Sequence, residues 1–433
     1  MTDTRLALII IAMALLPARA WAQLQVEITS GVTDPIPIAI VPFASGGVAR
    51  LGNEIAGIVD EDLARSGRFR TMERGDMLSR PSRKEEVVLE DWRMQRNDYV
   101  VVGRLTARDG EAFGVTAELV NVLNGQRLFI EQFDALPATL RAAAHRISDL
   151  VFEKTLGIRG AFSTRIAYVS VDGSAPKQRY QLVVADADGA SPRIVLESRL
   201  PIMSPAFSAD GAWLAYVSFE SRASAIYVQR LATGERRRVS ARAGINGAPA
   251  WSPDGRKLAV TLGGRNGNLD IYMLDLQSQE LTRLTDDPAI DTEPAFSSDG
   301  KSLYFTSDRA GGPQVYRMPL AGNARPQRVT FTASYNARPR PSPDGQKLAM
   351  VTLDGNAYRI AIQDLASGQV TVLSNGGQDE SPSFAPNGVA LIYAGKRGGR
   401  PGLLTVSSDG AVQQQLAADR GEVREPVWGP FVN

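Results

Sequence analysis

The sequence predicts an all-β six-bladed β-propeller in the C-terminal part of the chain, preceded by a small α/β domain. Three observations carry this prediction: a phrase that recurs, a constant spacing between its copies, and two partial copies at the ends of the array. The phrase reads SPAFSADG at residues 204–211 and APAWSPDG at residues 248–255, each followed by a short apolar run. Recurrence of this kind indicates an array of equivalent structural units.

The spacing of the phrase identifies the unit. Its lead prolines are Pro205, Pro249, Pro294, Pro339, Pro382 and Pro426. Their successive numbers differ by 44, 45, 45, 43 and 44. A period in the forties with turn residues at a constant phase is typical of propeller blades.

Each repeat contains the elements of four strands. The Asp-Gly and Asn-Gly pairs predict tight hairpin turns, because glycine and asparagine accept a positive φ at little cost. Branched and aromatic residues follow these turns, as at 214–217 and 303–305, and predict strands. One four-stranded sheet cannot bury both of its faces alone, so we expect the repeats to stack around an axis.

The two ends of the array predict how the ring closes. The run at 165–170 matches the second strand of a unit, and no proline phrase precedes it. The chain ends with the first-strand phrase alone, at 425–430. We therefore expect the C-terminal strand to complete the blade that begins near Ile166, closing a propeller over residues 165–433. An open solenoid or two stacked sheets is the alternative.

The residues before the array predict an α/β domain at 35–157 and a linker at 158–164. Gly46-Gly47 lies between a strand and a helix but lacks the spacing of a phosphate loop, so we interpret it as a turn. The expected elements are a buried strand at 37–43, a helix through 55–64 that stops at Gly67, strands at 99–105 and 113–120, and a helix at 137–156.

Residues 1–22 have the pattern of a signal peptide that is cleaved on export. Arg5 gives a positive start, eleven apolar residues follow at 6–16, and Ala20-Trp21-Ala22 supplies a small-x-small cleavage site. An uncleaved anchor is the alternative, but eleven apolar residues are too few to span a bilayer.

Composition excludes several classes of function. The 48 basic and 47 acidic side chains give a net charge of +1, which argues against a nucleic-acid partner held by a broad basic field. The chain has no cysteine and a single histidine, His145, which we expect to be packed or at the surface. The sequence therefore predicts no catalytic residue, no cofactor and no metal site, although a cation held by channel carboxylates stays open.

The export signal, the small α/β domain and this repeat together resemble the TolB family, periplasmic proteins of the Tol-Pal envelope system of Gram-negative bacteria. The resemblance covers 23–433, and its most specific part is ITSGV at 28–32 followed by PIAIVPF at 37–43. It implies a non-enzymatic periplasmic scaffold that supports outer-membrane integrity and its constriction at cell division. The implied partners are the lipoprotein Pal and the inner-membrane protein TolA, with other outer-membrane or peptidoglycan-associated proteins as further candidates. Contact with a membrane is implied only through these partners.

The resemblance implies that TolA binds the segment at 23–34. Apolar and polar residues alternate there with the period of a strand, which can pair within its own domain or be lent to a partner's sheet. The residues concerned are Leu24, Val26, Glu27, Ile28, Ser30 and Val32.

The candidate Pal-binding residues lie just before each lead proline. This part of each repeat joins the outermost strand of one blade to the innermost strand of the next, and such connections converge on one mouth of the channel. The resemblance implies Pal binding at the same loops, and the other interpretation is that Glu293 and Glu425 only bond to neighbouring backbone. The predicted residues are Met203, Ser204, Ile245, Asn246, Ala248, Thr292, Glu293, Asn336, Arg338, Glu380, Ser381, Arg424 and Glu425.

An exported propeller hydrolase or peptidase-like protein is the alternative function. Such enzymes need a Gly-x-Ser-x-Gly motif and a histidine late in the chain, and the sequence has neither. A sugar- or metal-dependent propeller enzyme would need histidines or carboxylates clustered in the channel, and no histidine follows His145.

Overall fold

The computed structural model describes residues 27–28, 35–46, 49–264, 267–322, 325–416 and 421–432. The predicted signal peptide and most of the segment at 23–34 lie outside these residues. Within the described ranges, none of the helices combines the length and the apolar character that crossing a membrane requires.

The first domain is a mixed sheet with helices on both faces. Strands β2 to β7 form it in the order β4-β2-β5-β6-β7, and β3 lies beside β5. The strands of this half of the chain are β1 (Glu27–Ile28), β2 (Ile36–Ile40), β3 (Ala44–Ser45), β4 (Phe69–Thr71), β5 (Tyr99–Ala107), β6 (Phe113–Asn121) and β7 (Arg127–Ala135). The helices are α1 (Ala49–Arg65), α2 (Leu89–Met94) and α3 (Leu140–Leu156), with 3-10 turns at Arg74–Asp76, Lys84–Glu86 and Pro137–Thr139.

Apolar side chains fill both sides of this sheet. One side packs against α1 and α3 through residues such as Ile55 and Ile147, and both are fully buried. The other side packs against Trp92 of α2. The predicted α/β class is confirmed, but the prediction missed the strands β3, β4 and β7 and the helix α2. The alternation of strand β7 is hard to detect in the sequence because its neighbouring residues Phe129 and Ile130 are both apolar, although Phe129 is buried and Ile130 is 48% exposed.

The propeller consists of six antiparallel blades of four strands each, and β1 adds a fifth strand to the sixth blade. Its first strands are β8 (Arg165–Asp172), β9 (Arg179–Asp186), β10 (Arg193–Ser198), β11 (Ile202–Phe207), β12 (Trp213–Ser218), β13 (Ala225–Arg230), β14 (Arg236–Ser240), β15 (Asn246–Trp251), β16 (Lys257–Gly263), β17 (Leu269–Asp275), β18 (Leu281–Arg283) and β19 (Asp291–Phe296). The others are β20 (Ser302–Ser307), β21 (Gln314–Pro319), β22 (Gln327–Arg328), β23 (Asn336–Pro341), β24 (Lys347–Asp354), β25 (Ala357–Asp364), β26 (Val370–Val372), β27 (Glu380–Phe384), β28 (Ala390–Arg397), β29 (Arg400–Ser407), β30 (Val412–Gln415) and β31 (Glu422–Trp428).

The ring closes as the two partial repeats predict. Strand β31 pairs with β8, so the first blade has the order β10-β9-β8-β31. The apolar core lies between adjacent blades: Val171 of the first blade packs with Tyr216 of the second, and Tyr168 packs with Ile392 of the sixth. Each blade thus buries its faces against two neighbours, and the six-bladed prediction is confirmed.

In four of the six blades, a serine and an Asp-Gly pair build the turn after the innermost strand. In the third blade, the Ser252 hydroxyl donates to Asp254 at 2.5 Å and accepts the Lys257 N–H at 3.0 Å. This hydrogen bond from Ser252 is the main reason that the pKa of Asp254 is lowered. Gly255 has a φ of +69°, which explains why glycine recurs there.

Strand β1 lies at the outer edge of the sixth blade. Glu27 pairs with Gln413 and Ile28 with Val412 of β30, in antiparallel register. These two residues therefore add a fifth strand to a propeller sheet, instead of pairing within the sheet of the first domain.

Polar contacts join the first domain to the turns of the first and sixth blades. Arg141 of α3 bonds to Asp186 at 3.1 Å, and Arg68 bonds to Asp409 at 2.8 Å. Gly67, with a φ of +68°, packs so closely on Val412 of β30 that a Cβ there would lie 2.1 Å from a valine methyl carbon. All these contacts lie at the end of the propeller that carries the Asp-Gly turns, which we call the turn face.

Candidate functional site

A ring of six residues in left-handed conformation encircles the channel. Each residue immediately precedes a lead proline and has a φ between +45° and +56°, a region that residues other than glycine rarely adopt. In every blade the innermost strand also breaks its pairing register at this position. The channel ring consists of Ser204, Ala248, Glu293, Arg338, Ser381 and Glu425.

One arginine joins the two carboxylates of the channel ring. Arg338 Nε lies 2.8 Å from Glu293 Oε1, and Arg338 Nη2 lies 3.7 Å from Glu425 Oε1. Arg338 also donates to the Ser381 hydroxyl. The positive charge that the channel carboxylates attract is therefore supplied by the chain itself.

The same two carboxylates hold the backbone of the neighbouring blade. Glu293 Oε2 accepts the backbone N–H of Arg338 at 3.0 Å and the Thr306 hydroxyl at 2.9 Å. Glu425 accepts the backbone N–H of Ser204. Both glutamates thus make the backbone contacts that the alternative interpretation assigns to them, and they bridge neighbouring blades.

Burial and charge act in opposite directions on the ionisable groups here. Burial alone would lower the pKa of Arg338, but the charges of Glu293 and Glu425 outweigh it and raise that pKa above its usual value. Burial raises the pKa of Glu380, against the opposing charge of Arg338. Arg338 is therefore a permanent cation at the centre of the ring.

The predicted mouth residues fall into two groups by exposure. Asn246 and Asn336 are fully buried and shape the loops before their strands. The Asn246 amide accepts from Ser240 at 2.6 Å and from the backbone N–H of Arg242 at 2.9 Å, and donates to the Arg242 carbonyl at 2.8 Å. Any effect of these two asparagines on a partner would thus be indirect.

The other predicted residues, except the buried Ser381, lie on or near the accessible surface. Met203 is 39% exposed and Ile245 is 49% exposed, while the side chain of Arg424 is 44% exposed. Ala248, Thr292 and Glu380 are partly exposed, and Ser381 is 5% exposed. Met203, Arg338, Glu380, Arg424 and Glu425 line one cavity of about 510 Å³, which we call the mouth.

The prediction missed two tyrosines of the mouth. Tyr335 and Tyr358 line it and meet edge to face, with ring centroids 5.1 Å apart. Tyr358 belongs to the hairpin between β24 and β25, and such hairpins lie at the same end as the connections between blades. The predicted mouth includes only connections before the lead prolines, whereas the turn at Asp354-Gly355, which the sequence also shows, brings Tyr358 to the same end.

Of the predicted TolA-binding residues, the structure describes only the backbone of Glu27 and Ile28, in β1. Leu24, Val26, Ser30 and Val32 lie outside the described residues.

His145 lies at the domain boundary, far from the mouth. Its Nδ1 is 2.6 Å from Asp62 Oδ2, and its Nε2 is 3.9 Å from Asp188 Oδ2. Ligand atoms of these three residues lie within 4.8 Å of one another, as in a metal site. However, Arg65 bonds to Asp62 and Arg141 bonds to Asp188, so arginines already balance both carboxylates.

The mouth has the chemistry of a protein-binding surface. At its base, charged side chains such as Arg338 and Glu293 are bonded to one another, and exposed apolar side chains lie beside them. The contacts described there hold charged side chains to one another, and none of them pairs a nucleophile with a base.

Comparisons with known proteins agree with this architecture. Residues 152–432 match a family model described as the TolB beta propeller domain, and residues 24–128 match the TolB amino-terminal domain. A protein of Xanthomonas campestris pv. campestris, named Tol-Pal system protein TolB, is 45% identical over 423 residues, 96% of each chain. A protein of the same name from Xylella fastidiosa is 44% identical over 427 residues, again 96% of each. The crystal structure of TolB from Acinetobacter baumannii matches with a TM-score of 0.86 at 41% identity, covering 94% of this chain and 100% of that one.

Proposed function

The chain belongs to the TolB family, and on that premise we propose that it is a non-enzymatic periplasmic scaffold of the Tol-Pal envelope complex. It binds Pal at the mouth of the propeller and TolA through residues 23–34. In this role it supports outer-membrane integrity and the constriction of the outer membrane at cell division. Its contact with membranes passes through these partners.

The observation that supports the mouth as the Pal site is its combination of charged side chains that are bonded to one another and apolar side chains that are exposed at its edge. Met203 lies at this edge, and Ile245 lies in the connection just before β15. Apolar side chains exposed beside satisfied charges are typical of interfaces with another protein. A small number of such residues usually supplies most of the binding energy.

The Pal assignment is tested by removing exposed apolar groups without disturbing the fold. We expect the double variant Met203→Ser, Ile245→Ser to bind Pal at least about thirtyfold more weakly in calorimetry, since each truncation of an interface anchor costs about 1 kcal/mol or more. The matched control is Ile194→Ser, because Ile194 is 53% exposed on β10, an outermost strand. Unchanged affinity in the double variant, with unchanged circular dichroism, would refute the mouth as the Pal site.

The TolA assignment is tested by deletion. A chain without residues 23–33 is expected to lose capture of TolA and to keep its affinity for Pal, because the mouth is built only from the propeller. Full TolA capture by the shortened chain would contradict the assignment, and the retained Pal affinity serves as the folding control.

A further inference from the structure

A second chamber of the channel lies on the other side of the channel ring from the mouth. Its cavity volume is about 380 Å³, and it extends along the innermost strands to the turn face. Eight prolines and five aromatic residues contribute to its walls. The aromatic residues are Phe207, Trp251, Phe296, Phe384 and Trp428.

One arginine in this chamber lacks a charged partner. Arg340, on β23, lines the cavity, and its Nη1 donates to the carbonyl of its neighbour Pro339 at 2.9 Å. Within the described part of the chain, no other hydrogen bond and no ion pair of its guanidinium is present. The guanidinium nitrogens that make no hydrogen bond are not buried. These N–H donors are therefore accessible from the cavity.

The carboxylates nearest to Arg340 are already engaged. Glu293 bonds to Arg338 and to the Thr306 hydroxyl, and Glu425 bonds to the backbone N–H of Ser204. Burial lowers the pKa of Arg340, against the opposing charges of Glu293 and Glu425. A largely buried guanidinium with unpaired N–H donors is a strong site for an anion, because two of its parallel N–H groups can bond to both oxygens of a carboxylate.

We propose that this chamber binds a small monocarboxylate with an apolar body, whose carboxylate is held by Arg340. The apolar part of the ligand would pack on the aromatic and proline walls. A single negative charge is favoured over a dianion such as phosphate, because Glu293 and Glu425 stand nearby and would repel additional charge.

The chamber is reached from the end opposite to the mouth. Residues of the turn face, including Ala209, Pro253, Ser298 and Pro386, form its far end. Arg338 and Glu425 of the channel ring line both cavities, whereas other residues of the mouth, such as Tyr358 and Arg424, do not line the chamber. The site is therefore independent of the Pal assignment, and a ligand could occupy it while a protein covers the mouth.

The test uses the mature chain, residues 23–433, with benzoate as the probe and benzamide as its neutral counterpart. Binding is measured by calorimetry and by the fluorescence of Trp251 and Trp428, which line the chamber. We expect benzoate to bind at least tenfold more tightly than benzamide or inorganic phosphate, because benzamide lacks the negative charge that pairs with Arg340, and phosphate lacks the apolar body and carries additional negative charge. This comparison needs no variant, so it does not depend on whether a substitution folds.

Variants then locate the site. Arg340→Gln is expected to weaken benzoate binding at least tenfold and Arg340→Lys to weaken it less, because lysine keeps the charge but loses the fork. The matched control is Arg317→Gln, since Arg317 is exposed on β21. Absence of benzoate binding, equal binding of benzamide, tighter binding of phosphate, or an unchanged affinity in Arg340→Gln would each overturn the proposal.

Discussion

The channel ring and the domain boundary are both built from arginines and carboxylates, but they differ in what holds their members. In the channel, Arg338, Glu293 and Glu425 project from innermost strands of one closed ring, and backbone N–H groups bond directly to both glutamates. The two glutamates therefore bond both to a charged side chain and to the backbone of the neighbouring blade. A change in this cluster would shift that backbone.

The cluster at the domain boundary joins two domains instead. Asp62 and His145 come from α1 and α3, whereas Asp188 belongs to the turn between β9 and β10. The side chain of Asp62 is fully buried, and that of His145 is 3% exposed. Similar chemistry thus serves two purposes: one cluster stabilises a fold, and the other connects two folded parts and includes a histidine, whose charge can change with pH.

Removing the central cation of the ring should have the largest effect. Arg338→Met leaves Glu293 and Glu425 without their counter-charge, so we expect the free energy of unfolding of the propeller to fall by about 3 kcal/mol in urea titrations. Arg317→Met, at an exposed position, should change it by less than about 0.5 kcal/mol. Equal losses in both variants would show that the ring does not stabilise the propeller.

Asp62→Asn should loosen the domains while leaving the propeller folded. The change removes a charge that bonds to Arg65 and His145 and accepts from Ser148 at 2.8 Å. We expect proteolysis in the linker at 158–164 to become about tenfold faster, which corresponds to about 1.4 kcal/mol. Glu61→Gln, an exposed neighbour on α1, is the matched control and should not alter the rate. A linker equally protected in Asp62→Asn would contradict the role of this cluster.

The connection between the domains should weaken as the pH rises. Burial alone would lower the pKa of His145, but the hydrogen bond to Asp62 and the charges of Asp62 and Asp188 outweigh it, although Arg141 opposes them, and the pKa is raised. A raised pKa means that the stabilisation is fully present below about pH 6.5 and is lost as the pH passes through the folded-state value.

Linker proteolysis between pH 6 and pH 9 tests this dependence. The natural chain should be cleaved faster at the alkaline end, after correction for protease activity with an unstructured peptide. In His145→Gln the rate should vary little with pH, because glutamine does not titrate. Equal pH dependence in both chains would assign the titration to another group.

The smallest effect on stability is expected at the edge of the mouth. Arg424 pairs with Glu422 at 2.8 Å, and both side chains are nearly half exposed. Arg424→Ala should change the free energy of unfolding by less than about 0.5 kcal/mol, because solvent screens such pairs. If the mouth binds Pal, the variant should change the association rate and its salt dependence in stopped-flow measurements. A large loss of stability would contradict this expectation, because Arg424 would then stabilise the propeller as the channel ring does.

The sequence predicted the parts of this molecule that depend on local repetition. The proline phrase and the Asp-Gly turns recur because every blade needs the same bulge and hairpin, as Ser252 and Gly255 illustrate. Ring closure was predictable because the phrase around Pro426 complements the strand near Ile166. The left-handed ring was not predictable, because Ser204, Glu293 and the other members are not glycines.

The site depends on contacts between residues far apart in the sequence, and these were not predictable. Asn246 and Arg424 occupy similar places near their prolines, yet the first is buried and the second is exposed. His145 was predicted to be packed or at the surface, and its buried contact with Asp62 agrees with the first choice, but Asp188 belongs to another domain. Tyr358 reaches the mouth from a hairpin that carries no part of the phrase.

Hydrogen–deuterium exchange of the chain comprising residues 23–433, with and without Pal, tests most directly the central proposal that the propeller mouth is the Pal-binding surface. We expect Pal to slow hydrogen–deuterium exchange in the connections just before β11, β15 and β27 and in the hairpin that contains Tyr358. Exchange at the turn face and in outermost strands such as β10 and β14 should not change. Protection confined to those outermost strands or to the turn face, with the mouth unaffected, would contradict the account.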